Sequence, residues 1–294
     1  MEVNVSLNYI SKSLCCMNGG GRMIEIVNKK INLNHLIINT SCIYFCCVIE
    51  GTMEGRIWVN SLEMPTFAVV WNEYQKGFQL MGKPVEQMEY RYLRVFFEDN
   101  LFCMLKEKEL DYFECGTDSD ELTKMLYDIF MEHKIDSEQQ KVFRLSEIHC
   151  PINEFSEKLE REYEIVAIDE SFLQKEYENI EYVVDEIEAT WISLQGYIRD
   201  GYGYAAVKHN KIVGRALVTC RQRDFDNIGV DTLKEHRRKG ISTNLVYWTL
   251  EEGIKRNRRN IWDCMEDNTP SERTALKVGF ILERTYTVCW FKIY

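Results

Sequence analysis

Residues His236-Arg-Arg-Lys-Gly-Ile-Ser242 crowd two arginines, a lysine, a glycine and a hydroxyl into one short turn. An apolar run, Ile228-Gly-Val230, precedes the turn, and a segment with helical spacing follows it. A group with concentrated negative charge, such as a diphosphate, needs several donors at short range. A glycine-bearing turn that opens a helix supplies them as backbone N–H groups. Gly240 has no side chain to block a close approach. Ile241, Ser242 and Thr243 would form the first helical turn, where N–H groups lack intrahelical partners and the helix dipole is positive. Arg237, Arg238 and Lys239 add full charges.

The elements that must position this turn can be read around it. Leu245, Val246, Trp248, Leu250 and Ile254 recur at three- and four-residue steps and predict an amphipathic helix. Lys255, Arg256, Arg258 and Arg259 gather at its C-terminal end, where they complement the dipole. Ile261 to Met265 predicts a strand, and Asn268-Thr-Pro-Ser271 opens a second helix closing on Val278-Gly-Phe280. Upstream, Tyr163 to Ile168 reads as a strand. Residues 170–199 are mainly helical, with Trp191, Leu194 and Ile198 on one face. Gly203 to Lys208 and Ile212 to Cys220 read as a hairpin around His209-Asn210-Lys211.

With these elements in this order, the chain resembles the acyl-CoA-binding half of the GNAT superfamily of N-acyltransferases over roughly residues 160–294. The family's pyrophosphate loop, Arg/Gln-x-x-Gly-x-Gly/Ala, is matched by Arg237-x-x-Gly240-x-Ser242, with Ser as the last small residue. Its later Asn and Gly-Phe pair are matched by Asn268 and Gly279-Phe280. Trp262-Asp263-Cys264, Asn268, Ser271 and Lys277-Val-Gly-Phe280 are most similar to the branch that includes zwittermicin-type self-resistance acetyltransferases. The resemblance implies an α/β (α+β) chain whose C-terminal GNAT fold has a central mixed, mostly antiparallel sheet. It implies acetyl-CoA as cosubstrate and the amine of a small molecule as acceptor. A backbone N–H near Val230 or Asp231 would face the thioester oxygen, and Asn268 would hold the pantetheine arm. Two positions depart from the family pattern. Asn227 stands where many members have a Glu base, and Ala275 stands where many have a Tyr acid. Asp226 and Asp231 are then candidate bases, with Glu266 and Asp267 farther away. Ser271 is the hydroxyl placed to serve as acid or to touch the cosubstrate. A second reading stays open: an acyl-CoA-binding regulatory or interaction module whose chemistry has lapsed.

At 294 residues two domains are expected: a leader at 1–22, an N-terminal α/β domain at 23–150 and the acyl-CoA-binding domain at 151–294, with Pro151 at the break. The apolar runs Ile37-Ile38, Ser41 to Ile49, Gly55 to Val59 and Thr66 to Trp71 predict strands, and Glu86 to Phe97 and Glu121 to His133 predict helices. The resemblance implies that this first half is a decayed copy of the same fold. It has no Arg/Gln-x-x-Gly-x-Gly/Ala run before a helix, so no second acyl-CoA site is expected there. A net charge of −11 argues against nucleic acid as a partner. The 11 cysteines form no C-x-x-C pair and the histidines are scattered, so no metal site is expected. Such cysteine usage suits a reducing cytoplasm. No stretch is apolar enough to span a membrane, and Met1 to Arg22 lacks the pattern of a secretory signal. Met23 is a second candidate start, and Asn18-Gly-Gly-Gly21 reads as a hinge.

Overall fold

The computed structural model describes residues 23–27, 31–38, 41–148, 159 and 162–294. The expected leader and the break at Pro151 lie outside the described residues. Among those residues twelve strands form one sheet. The first half contributes β1 (Ile24–Glu25), β2 (Gly55–Val59), β3 (Phe67–Asn72), β4 (Gly77–Gly82), β5 (Tyr112–Thr117) and β6 (Asp136–Leu145). The second contributes β7 (Glu164–Ala167), β8 (Gly203–Lys208), β9 (Lys211–Gln222), β10 (Phe225–Thr232), β11 (Arg259–Met265) and β12 (Phe280–Lys292). The order across the sheet is β1-β2-β3-β4-β5-β12-β6-β11-β10-β9-β8-β7.

Read inward from either edge, the sheet repeats itself. β4 pairs with β5 in parallel, as β10 does with β11, and the other pairs are antiparallel. At the centre the halves exchange strands. β6 leaves the first half to pair with β11, and β12 leaves the second to pair with β5. β6 and β12 pair with each other over ten residue pairs, with a bulge between Leu282 and Arg284. One sheet therefore runs through both halves, and each is completed by a strand of the other.

The helices are α1 (Ile43–Glu50), α2 (Tyr90–Phe96), α3 (Cys103–Glu107), α4 (Asp120–Ile129), α5 (Glu170–Leu173), α6 (Glu181–Thr190), α7 (Leu194–Asp200), α8 (Ile241–Lys255) and α9 (Thr269–Val278). Alternation along the strands assigns them to two layers. Tyr286 and Val288 of β12 pack toward α1, while Cys289 and Phe291 pack toward α4. Leu217 of β9 packs toward α6, and its neighbour Ala216 packs toward α8. So α1 and α5–α7 cover one face, and α2–α4, α8 and α9 cover the other.

Several expectations need correction. Ser41 to Ile49 is not a strand: residues 43–50 form α1, closed by Gly51 in the left-handed region at φ 75°. Ile43 to Ile49 are all buried. A helix apolar on every side shows no 3.6-residue period and reads like a strand. Ile37-Ile38 follows a 3-10 turn, Asn34–Leu36, and joins no strand. In α8 the buried positions include Ile241, Leu245, Thr249 and Gly253, whereas Ile254 is half exposed. The buried stripe is rotated because small polar residues, as well as apolar ones, meet the sheet. Helix formation near Glu86 to Phe97 runs on through a π-helical turn at Phe97–Phe102 into α3.

Candidate active site

The basic turn leaves β10 and enters α8. Gly240 is the N-cap of α8 at φ 81°, with no side chain capping the helix. Among the described residues, a Cβ placed on Gly240 would meet only Leu159 Cδ1, at 3.7 Å. Among those residues nothing else fills the space in front of the helix start, where the first N–H groups of α8 face outward. Arg238 also has positive φ, at 62°. Ser242 Oγ lies 2.9 Å from Thr232 Oγ1, which ties the first turn of α8 to the end of β10. Thr243 and Ile241 point inward and are buried. Arg237 braces the turn, its Nε–H donating to Thr232 O at 2.9 Å, and leaves its outer nitrogens near solvent. Lys239 Nζ donates to Tyr163 Oη at 3.2 Å, and His236 Nδ1 lies 3.0 Å from the same oxygen. Burial and the Lys239 charge both lower the His236 pKa.

Beside the turn the sheet opens. β10 and β11 pair only from Phe225↔Arg259 to Asn227↔Ile261. Beyond that point β10 stays with β9 and β11 stays with β6. The β11-facing backbone groups of Ile228 to Thr232 thus have no ladder partner, Val230 among them. A bulge against β9 lies between Asn227 and Ile228, at the point of divergence. A bulge there re-aims the following residues.

The sequence-predicted residues divide between the two faces. Asp226 is fully buried and faces away from the opening. It accepts from Arg221 at 2.9 and 3.0 Å, from Arg258 at 2.7 and 3.1 Å, and from Tyr202 Oη at 2.9 Å. Asp231 lies on the α6 side, accepting from Tyr182 Oη at 2.9 Å, with Arg237 at 3.5 Å. Asn268 caps α9, its Oδ1 accepting from Ser271 N–H at 3.3 Å. Ser271 Oγ accepts from Trp262 Nε1–H at 2.9 Å. Ala275 is buried under α9 and bears no proton donor. Glu266 and Asp267 are exposed beyond the end of β11.

On the α1 face the structure gathers residues that sequence reasoning passed over. Asn227 Nδ2 donates to Tyr44 Oη at 2.8 Å, and Tyr44 Oη lies 2.9 Å from Thr219 Oγ1. Tyr44 stacks on Tyr74 with centroids 5.6 Å apart. Tyr74 Oη donates to Glu186 at 3.0 Å, and Arg215 donates to the other oxygen of Glu186 at 2.9 Å. Asp263 of β11 lies next to Asn227 and accepts from Gln140 Nε2 at 3.0 Å. Burial is the largest influence on Asp263 and raises its pKa. Tyr44 and Tyr74 come from the first half, so both halves wall this space. No local motif announces such a meeting of distant segments.

The fold agrees with comparisons to known proteins. The GNAT acetyltransferase family profile matches residues 34–289. An uncharacterized N-acetyltransferase of Bacillus subtilis (strain 168), YdfB, is 26% identical over 105 residues, which covers 34% of this chain and 39% of that protein. A GCN5-related N-acetyltransferase-like protein from Streptococcus suis superposes with a TM-score of 0.59 at 15% identity, covering 83% of this chain and 90% of the other. A tandem GNAT protein from the clavulanic acid biosynthesis pathway superposes with a TM-score of 0.51 at 13% identity, covering 81% and 83% of the two chains. With its profile match running through both halves, the chain belongs to the GNAT acetyltransferase family.

Proposed function

We propose that this chain transfers an acetyl group from acetyl-CoA to the amine of a small molecule. The observation that carries the reading is the uncapped start of α8 at Gly240, set beside the gap between β10 and β11. Diphosphate fits the first: open space, free N–H groups and the cations of Arg237, Arg238 and Lys239. An extended amide-bearing arm suits the second, because unpaired strand backbone can hydrogen-bond to it. Residues 237–243 would hold the phosphates, and Val230 would line the arm. The thioester supplies an activated acyl carbon. The chain supplies position, which alone removes much of a bimolecular barrier. The carboxylates of Asp231 and Asp263 on the α1 and α6 face favour a cationic amine. The narrower likeness to self-resistance enzymes supports a small diffusible acceptor. Among the described residues all eight cysteines are free and seven are buried, which suits a cytoplasmic setting.

We read one acyl-CoA site per chain. In the first half, β4 stays paired with β5 to the end of β5, at Leu80↔Thr117. The helical segment after β4 begins with its own acidic cap: Glu86 N–H donates to the Glu89 carboxylate at 3.2 Å. A carboxylate at that position repels phosphate.

Asn227 and Ala275, standing where the family has its base and acid, favour the second reading, a CoA-binding module without turnover. One experiment separates them. Thermal melts with CoA test binding, since a ligand at a hundred times its Kd adds about 2.7 kcal/mol. Thiol release from acetyl-CoA across an amine panel tests chemistry. A CoA shift with amine-dependent release supports the enzyme, and a shift without release supports the module. No shift refutes both.

A further inference from the structure

Resting on the acyltransferase reading, we propose that Asp263 is the catalytic base, taking the amine proton beside a polar cluster that both halves build on the α1 face. Asn227 cannot take a proton, but it stands beside Asp263, which lies on the neighbouring strand just past the last β10–β11 pair. Asp263 projects to the same face as Ile261, toward α1, and is partly exposed.

The other carboxylates near the opening are already committed. Asp226 faces the opposite layer and is saturated by two guanidinium groups and a phenol. Glu186 is neutralised by Arg215, and Asp231 is held by Tyr182. Asp263 has neutral partners: it accepts from the Gln140 amide at 3.0 Å, and the Asn227 amide lies alongside. Arg284 of β12 is the cation that bears on it. The titratable groups around it come from four elements. Cys42 and Tyr44 belong to the α1 segment, Cys220 to β9, Tyr286 to β12, and Tyr74 to the β3–β4 turn. Burial raises the pKa of each, so all five stay neutral around the carboxylate.

The cluster also includes buried polar atoms without hydrogen-bond partners: Asn227 Oδ1, Gln140 Oε1, Arg284 Nε and both amide atoms of Gln79. Gln79 and Tyr286 flank Gly116, which continues the polar cluster toward the first half. Orphaned buried polar groups are costly and cluster where a ligand completes them. They suit a compact amine that carries its own hydrogen-bonding groups. In the step itself the amine nitrogen bonds to the acyl carbon as the carbon–sulfur bond breaks. Sulfur leaves with the bonding pair as thiolate. The proton shed by nitrogen goes to Asp263, and the thiolate takes one from water. A carboxylate whose pKa is raised accepts a proton more readily than an ordinary one.

The test compares the full-length chain with Asp263→Asn and Asp263→Glu. Asn keeps the shape and can still accept from Gln140. With acetyl-CoA and a panel of lysine, 1,4-diaminobutane, glucosamine and tryptamine, Asp263→Asn should lower kcat a hundredfold or more. It should also remove the acidic limb of the kcat/KM profile and leave CoA affinity within twofold. Asp263→Glu should recover at least tenfold over Asn. A second readout needs no turnover. The raised pKa means the folded chain gives up that proton less readily, so ionising Asp263 costs stability as pH rises. The melting temperature of Asp263→Asn relative to the parent should therefore rise as pH climbs above the ordinary carboxylate range. Unchanged kcat in Asp263→Asn, or a melting difference flat with pH, overturns the assignment. CoA binding by the parent with no amine acetylated removes the acyltransferase reading, and Asp263 as base with it.

Discussion

Gly240→Ala isolates the role of the phosphate turn, because the protein itself leaves room for the methyl group. The new Cβ would sit 3.7 Å from Leu159 Cδ1, an ordinary contact, so no packing penalty is expected. The cost comes from φ 81°, where an L-residue with a Cβ loses about 1–2 kcal/mol. In a chain of this size that lowers Tm by roughly 2–8 °C. The methyl would occupy the space that diphosphate needs, displacing it from one or more N–H groups. Each hydrogen bond to a charged group is worth about 1.5–3 kcal/mol, so CoA affinity should fall about ten- to a hundredfold. Gly279→Ala is the control. Gly279 also has positive φ, at 106°, but it closes α9, so it should cost similar stability with CoA affinity unchanged. Calorimetry with CoA and with pantetheine, which lacks the diphosphate, completes the assay. Gly240→Ala should weaken the first and leave the second within twofold. Equal weakening of both ligands, or equal effects of the two substitutions on CoA, would refute a phosphate role for Gly240.

Three further outcomes are expected. Asp226→Asn removes a buried anion from two partly exposed guanidinium groups and should cost roughly 3 kcal/mol in urea unfolding, with kcat per folded molecule within a few-fold of the parent; a stable variant with lost turnover would reverse that assignment. Ser271→Ala leaves the Trp262 indole N–H without its acceptor and should cost about 1 kcal/mol of stability and less than tenfold in kcat, measured by denaturation and thiol release. Burial pushes the Asp118 carboxyl up to about 6, so the folded chain holds its proton more tightly and stability is lost as pH rises from about 4 to about 6. Asp118→Asn removes that loss, at most about 3 kcal/mol, and a melting difference that fails to widen over this range would show that Asp118 is not strained.

The turn at residues 237–243 was legible because its signal is local: a glycine, three cations and a helix start adjoin one another. The second-half strands were legible for the same reason, each being a short apolar run between turn residues. The cluster around Asp263 was not. Asp263 reads as one acidic residue in an apolar strand, and nothing nearby says that Tyr44, some 220 residues away in sequence, packs toward it. Its place depends on β10 and β11 parting after Asn227↔Ile261, which is a property of strand pairing. The ion-paired burial of Asp226 was not legible because adjacent strand residues face opposite ways, and one residue decides between the two faces of the sheet. α1 misled because burial on every side erases periodicity.

The central strand exchange has a consequence for how the chain is made. β5 ends at Thr117, and its outer neighbour, β12, does not begin until Phe280. At typical synthesis rates of about 5–20 residues per second, the intervening chain takes roughly ten to thirty seconds to emerge. Throughout that time the Tyr112–Thr117 edge presents unpaired N–H and C=O groups, the template on which chains join one another. β6 waits in the same way for β11. The newborn first half is thus a sheet with a missing seam, and a second nascent chain could donate the missing strand in place of its own. Slower translation lengthens that exposure and faster translation shortens it, so yield of the monomer should track elongation speed and the supply of holdase chaperones.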